Sequence, residues 1–379
     1  MTQEKSRACG QKKRKLAEKK PQDKGKDLSD LVIESGARSL AVIGTAKNVG
    51  KTVTMNYLVS ELSSRGMTLG LISSGRDGEI IDVLTGEPKP SVTPPAGTWI
   101  ATAEGVLGEA AMNIEIADVF ERTGIFGRII IGRMVESVPI ELVGPPTAKE
   151  LSLIVKNLLA FGADIVLVDG ALDRKSAASP QVTDAAILST GAVAGRNIRA
   201  IAEEMGFWVW LLSRPQHDDE KIRALARKAV EKETVCLIRR SADGFTLDLT
   251  PYVTVLGNED DILELADDAV AVVVPGAVTQ EFVEAVWSWV EDEEFCVIAR
   301  DAVSIFVDKI PGISLYVVYP MRVLAATVNP SSFADVQHDS EELVREIAEE
   351  ISRWGHSLPV FDVVSGEKSF KGVSGLVMG

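Results

Sequence analysis

The chain has 379 residues, 46% of them apolar and 25% charged, enough for one large or two ordinary domains with buried cores. No uninterrupted apolar run nears the roughly 20 residues needed to span a bilayer, and the basic opening lacks the apolar stretch of a secretory signal. Three widely spaced cysteines (Cys9, Cys236, Cys296) without a CxxC pair, and only three histidines, argue against a disulfide framework, a structural zinc site or a His-rich metal centre. A cytoplasmic location is expected. The net charge of −15 is uneven: residues 1–27 carry +6 and the remainder −21. Such an acidic body repels nucleic acid and anionic membranes, so neither is expected as a partner. The Lys12-Lys13-Arg14-Lys15 run is a candidate contact for an acidic partner, but it belongs to a stretch with almost nothing apolar and reads first as a disordered, solubilising arm.

In chain order, Asp27–Ile33 suggests a short docking helix. Ser39–Gly44 is a short apolar run of the kind that buried parallel strands show. A helix follows from Lys51 to Arg65, with Met55, Leu58, Val59 and Leu62 on one face and Gly66 as its stop. Met67–Ser74 reads as the next strand. Between Arg76 and Pro146 the pattern changes to short strands at Thr98–Ala103, Arg128–Met134 and Val138–Val143, interrupted by Gly and Pro, which suggests inserted hairpins.

Regular alternation resumes with a helix over Thr147–Phe161 and a strand over Asp164–Val168. Further strands are expected at Ala185–Ser189 and Phe207–Leu212, with a helix over Asn197–Met205 between them. After Pro215 come a helix opened by Asp218, Asp219 and Glu220, strands at Ala269–Val274, Phe295–Ala299, Ser314–Val318, Arg322–Val328 and Leu358–Val363, and helices near Thr279–Val290 and Ser340–Trp354. The expected class is α/β, a mostly parallel sheet of the P-loop NTPase fold with inserted β-hairpins and a C-terminal α/β portion. The expected divisions are 1–36 (basic tail and lead-in), 37–215 (nucleotide domain) and 216–379 (C-terminal domain).

The chemistry concentrates in Gly44-Thr45-Ala46-Lys47-Asn48-Val49-Gly50-Lys51-Thr52. A triphosphate needs many donors at short range, and a Gly-rich loop opening a helix supplies backbone N–H groups and the positive end of the helix dipole. Gly50-Lys51-Thr52 matches the end of the G-x-x-x-x-G-K-[ST] spacing, with Gly44 one residue ahead of the strict first position. Lys51 is then the residue for the β- and γ-phosphates and Thr52 the hydroxyl for magnesium. Asp169, closing the apolar run Ile165–Val168, is the candidate second magnesium ligand; a plain strand-end cap is the alternative. ATP and Mg2+ are the expected cofactors.

The Gly-Thr-x-x-x-Val-Gly-Lys-Thr form at 44–52 resembles the dethiobiotin synthetase branch of the P-loop NTPases, which also holds MinD-type and nitrogenase-iron-protein-type ATPases. Many MinD-type members carry a second loop lysine at the position of Ala46, whereas here Lys47 lies one residue later. The resemblance implies that Asp77 holds magnesium or orients water, and that Asn329, in Thr327-Val328-Asn329-Pro330, recognises adenine, since an amide pairs with both donor and acceptor. Each has an ordinary turn role as its alternative.

Residues 74–79, 89–103, 274–279, 327–330 and 359–363 together resemble the P-loop subunit of the reactivating factor for lysine 5,6-aminomutase, across roughly residues 38–365. That resemblance implies an ATPase that helps exchange damaged cobalamin in an adenosylcobalamin-dependent aminomutase of amino-acid fermentation. Its implied partners are the aminomutase client and a second reactivase subunit. The alternatives are a ligase phosphorylating a small carboxylate or carbamate, with Arg76, Lys89, Arg128 and Arg133 as candidate anion ligands, and a nucleotide-sensing scaffold.

Overall fold

The computed structural model describes residues 26–75, 91–124, 127–171, 177–195, 197–290, 295–309, 312–331, 338–365 and 368–369. The basic arm up to residue 25, Asp77, Arg76 and Lys89 lie outside them.

The first part of the chain forms α1 (Leu28–Glu34), β1 (Ser39–Gly44), α2 (Lys51–Ser64), β2 (Leu69–Ser73), β3 (Trp99–Ala103), β4 (Ile114–Gly124), β5 (Gly127–Met134), α3 (Ala148–Ala160), β6 (Ile165–Ala171), β7 (Ala185–Gly191) and α4 (Ile198–Leu212). Then come α5 (Glu220–Glu231), β8 (Cys236–Ser241), β9 (Gly244–Leu249), α6 (Glu259–Leu265), β10 (Ala269–Val274), β11 (Val278–Thr279), α7 (Gln280–Trp289), β12 (Cys296–Asp301), β13 (Ile305–Phe306) and β14 (Ser314–Tyr319). The last elements are β15 (Arg322–Asn329), α8 (Ser340–Arg353), β16 (Val360–Asp362) and β17 (Lys368–Ser369).

The protein is α/β, with a large sheet ordered β17-β16-β15-β7-β1-β6-β2-β3-β5-β4. From β16 to β3 every pairing is parallel, and only β17, β5 and β4 run antiparallel to their neighbours. The apolar run of β1 has a direct cause. Leu40 and Val42 pack with α1 and α2 on one face, while Ala41 and Ile43 pack with α3, α4 and α8 on the other, so neither face meets water. A smaller sheet, β14-β12-β10-β8-β9, has α5 on one face and α6 with α7 on the other.

Three expectations need correction. Phe207–Leu212 is not a strand but the second half of α4, capped at Asn197, whose side chain accepts from Ala200 N–H. Its apolar character on all sides reflects a helix held between two cores. Ile201, Met205, Val209 and Leu212 join the large sheet's core, while Trp210 and Leu211 join that of the smaller sheet. Val138–Val143 forms only one isolated bridge, Val92 with Ile140. Pro139 lacks the N–H a ladder needs, and Thr102 Oγ1 instead donates to Glu141 O and accepts from Val143 N–H.

The third correction concerns the division at residue 215. The smaller sheet does begin after it, but the chain returns at β15, which pairs with β7 inside the large sheet. Residues 216–319 are therefore an insertion between α4 and β15 of the large sheet, and the last 60 or so residues do not belong to a separate C-terminal unit.

Candidate functional site

The site lies at the carboxyl ends of β1, β6, β7 and β15, where parallel sheets place ligands. From β1 the chain passes through α2 to β2 on one side, whereas β6 crosses β1 to reach β7 on the other. Gly44 ends β1 at this reversal of strand order.

Gly44 ends β1, and the loop leaves it anchored rather than free. Thr45 N–H donates to Ser189 O at 2.9 Å, and Thr45 Oγ1 donates to Thr190 Oγ1 at 3.0 Å, both at the end of β7. Ala46, Lys47 and Asn48 are exposed at the crest, while Val49 is buried. Asn48 and Gly50 adopt left-handed conformations, with φ of 61° and 91°. Such turns aim successive backbone N–H groups into one concavity, the geometry of an anion nest. Asn tolerates the conformation better than most side chains, and Gly adopts it at no steric cost.

Gly50 has a second reason to lack a side chain. A Cβ there would lie 2.4 Å from Cβ of Asn329. Asn329, the proposed base-recognition residue, thus packs directly on the residue that opens α2. It sits at the end of β15, its carbonyl accepting from Ala192 N–H at 2.9 Å and its Oδ1 from Ser331 N–H at 3.3 Å.

Lys51 begins α2, with Thr52 beside it in the first turn, both half-buried. Lys51 Nζ lies 2.9 Å from Asp169 Oδ1, joining the loop to the neighbouring strand. The same Oδ1 is buried and accepts no hydrogen bond, so the contact is a charge pairing without hydrogen-bond alignment. A buried carboxylate oxygen lacking a donor is a poor structural cap and a fitting ligand for a hard cation. Asp169 is held from behind: its carbonyl accepts from Ser74 N–H at 2.8 Å and from Ser73 Oγ at 3.3 Å.

Several contributors carry no motif. Thr54 Oγ1, Ser189 Oγ and Thr327 Oγ1 form a buried hydroxyl triangle with sides of 2.8, 2.8 and 3.3 Å, tying α2, β7 and β15 together beneath the loop. At Gly191 a Cβ would meet Asn329 O at 2.7 Å and Val49 O at 2.9 Å, and at Gly144 it would fall 1.6 Å from Ser73 O. The one sequence trace of this layer is that the apolar run of β7 closes on the small polar triplet Ser189-Thr190-Gly191.

The residues brought together are therefore Gly44 to Thr52, Asp169 and Asn329. Among the described residues no group of three His, Cys, Asp or Glu side chains could by itself hold a metal. Arg128 and Arg133 are not part of the site. Arg128 lies on β5 and pairs with Glu104 at 3.0 Å, and Arg133 Nε donates to Gly97 O at 3.2 Å.

No protein-family model matches the chain, and comparison with curated proteins gave no match. No helix among the described residues is long and apolar enough to cross a membrane.

Proposed function

We propose that the chain has the P-loop NTPase fold and binds ATP with Mg2+ in the concavity of Gly44–Thr52. The observation that carries this reading is Lys51 against the buried, hydrogen-bond-free Oδ1 of Asp169, at the mouth of a loop with two left-handed residues. Lys51 would exchange the carboxylate for phosphate oxygens, Thr52 and Asp169 would hold the metal, and the loop N–H groups would hold the phosphate chain. Magnesium, when bound, screens phosphate charge and supports hydrolysis at the terminal phosphate. Asn329, packed against Gly50, would read the base.

The wider proposal, resting on the resemblance across residues 38–365, is that this ATPase reactivates an adenosylcobalamin-dependent aminomutase together with a second subunit. Prising out a damaged corrinoid requires a conformational cycle that nucleotide binding and hydrolysis can bias.

Calorimetric titration with ATP, in magnesium and in excess chelator, tests the first claim: binding that is strengthened by the metal is expected, and no heat in either condition refutes it. Recovery of turnover by a corrinoid-inactivated aminomutase, only when protein, ATP and magnesium are all present, tests the second.

A further inference from the structure

Away from the nucleotide site, a groove of 860 Å³ runs between α3 and the segment 180–184 that leads into β7. Its rim carries three cations, Arg38, Lys149 and Lys156, all exposed. None of the three forms an ion pair among the described residues. The one carboxylate lining the groove, Asp184, is held by its Oδ2, which accepts from the backbone N–H of Arg38 at 2.8 Å and of Ser39 at 2.9 Å, and its charge leaves the lining an excess of two positive charges.

This excess of positive charge stands out on a body that carries −21 from residue 28 onward. Between the two lysines, on the same face of α3, lies Leu153, 44% exposed with nothing covering it. The groove thus presents cation, apolar side chain and cation in a row.

The spacing selects the ligand. Lys149 and Lys156 are seven residues apart, about 10 Å along the helix at 1.5 Å per residue. At that spacing each lysine can take a separate anion. An extended chain advances about 3.3 Å per residue, so carboxylates three residues apart match the two ammonium groups. We propose that this groove binds an extended acidic peptide segment of a partner protein, with carboxylates on Lys149, Lys156 and Arg38 and an apolar side chain on Leu153. The proposal does not depend on nucleotide binding, because the groove and the 44–52 loop share no residue.

Fluorescence anisotropy with a fluorescein-labelled glutamate dodecamer tests it on the full chain. Binding is expected at about 50 mM salt and weakening as the salt shortens the Debye length. The double variant Lys149→Glu/Lys156→Glu should bind roughly tenfold or more weakly, since two favourable pairs become repulsive ones. The control Lys228→Glu/Lys232→Glu makes the same change in net charge at two exposed positions on and just after α5, and should bind as the unaltered protein does. Loss of equal size in both double variants, or no binding by the unaltered protein at low salt, overturns the proposal. All four lysines are exposed, so retained thermal stability in both variants verifies that folding is not the cause.

Discussion

Lys51 Nζ lies 2.9 Å from Asp169 Oδ1, and that oxygen is buried without a hydrogen bond. The pair links the first turn of α2 to the end of β6, and under the proposed function each partner would give up the other to a metal–phosphate ligand. Asp169→Asn keeps the shape and removes the charge. Nucleotide binding measured in chelator should survive, while the gain from magnesium should vanish and turnover fall by roughly a hundredfold or more. An unchanged magnesium titration would remove Asp169 from the site.

At Gly50 two constraints coincide. Its φ of 91° is strained for any L side chain, and a Cβ would collide with Asn329. Gly50→Ala should cost about 2 kcal/mol or more, read as a lowered denaturation midpoint, and should impair nucleotide binding together with stability. A variant as stable as the unaltered protein would mean that the loop relaxes at no cost.

Asp27 caps α1, accepting from Asp30 N–H at 2.9 Å, and pairs with Arg65 at 2.7 Å, while Leu28 and Val32 are buried. Removing residues 1–25 should leave the melting temperature unchanged, whereas extending the deletion through Asp27 should cost about 1 kcal/mol from the lost cap. Equal melting temperatures for the two truncations would show that the cap contributes nothing.

His356, in the turn after α8, has its pKa pushed down, first by burial and then by the nearby Arg214 charge. The folded state therefore binds fewer protons than the unfolded state just below the ordinary histidine value of about 6.5, and stability falls as pH drops through that window. His356→Gln should flatten this part of the profile, seen as a smaller fall in melting temperature between about pH 7 and pH 5.5. An identical slope in the variant would assign the pH dependence to other groups.

The alternation of β1, α2, β2, α3, β6 and β7 was legible because each strand is buried on both faces and each helix has an apolar stripe. The smaller sheet was only partly so: β10, β12 and β14 are apolar runs, but the β8–β9 hairpin is polar and half-exposed, with little pattern to read. The α4 error has a physical source, because periodicity cannot separate a buried strand from a helix buried all round. The return of β15 beside β7 is a long-range pairing that no local signal encodes. Within the site, Lys51, Thr52 and Asp169 carry motif spacing. The Thr54–Ser189–Thr327 triangle does not, since it is assembled from residues as much as 273 positions apart.

Whether residues 44–52 form a nucleotide site is decided by Lys51→Ala. Calorimetric titration of the variant with magnesium and a non-hydrolysable ATP analogue should show affinity reduced by about tenfold to a hundredfold relative to the unaltered protein, the worth of a charge-assisted phosphate contact. Equal affinity for the analogue in both proteins would contradict the claim.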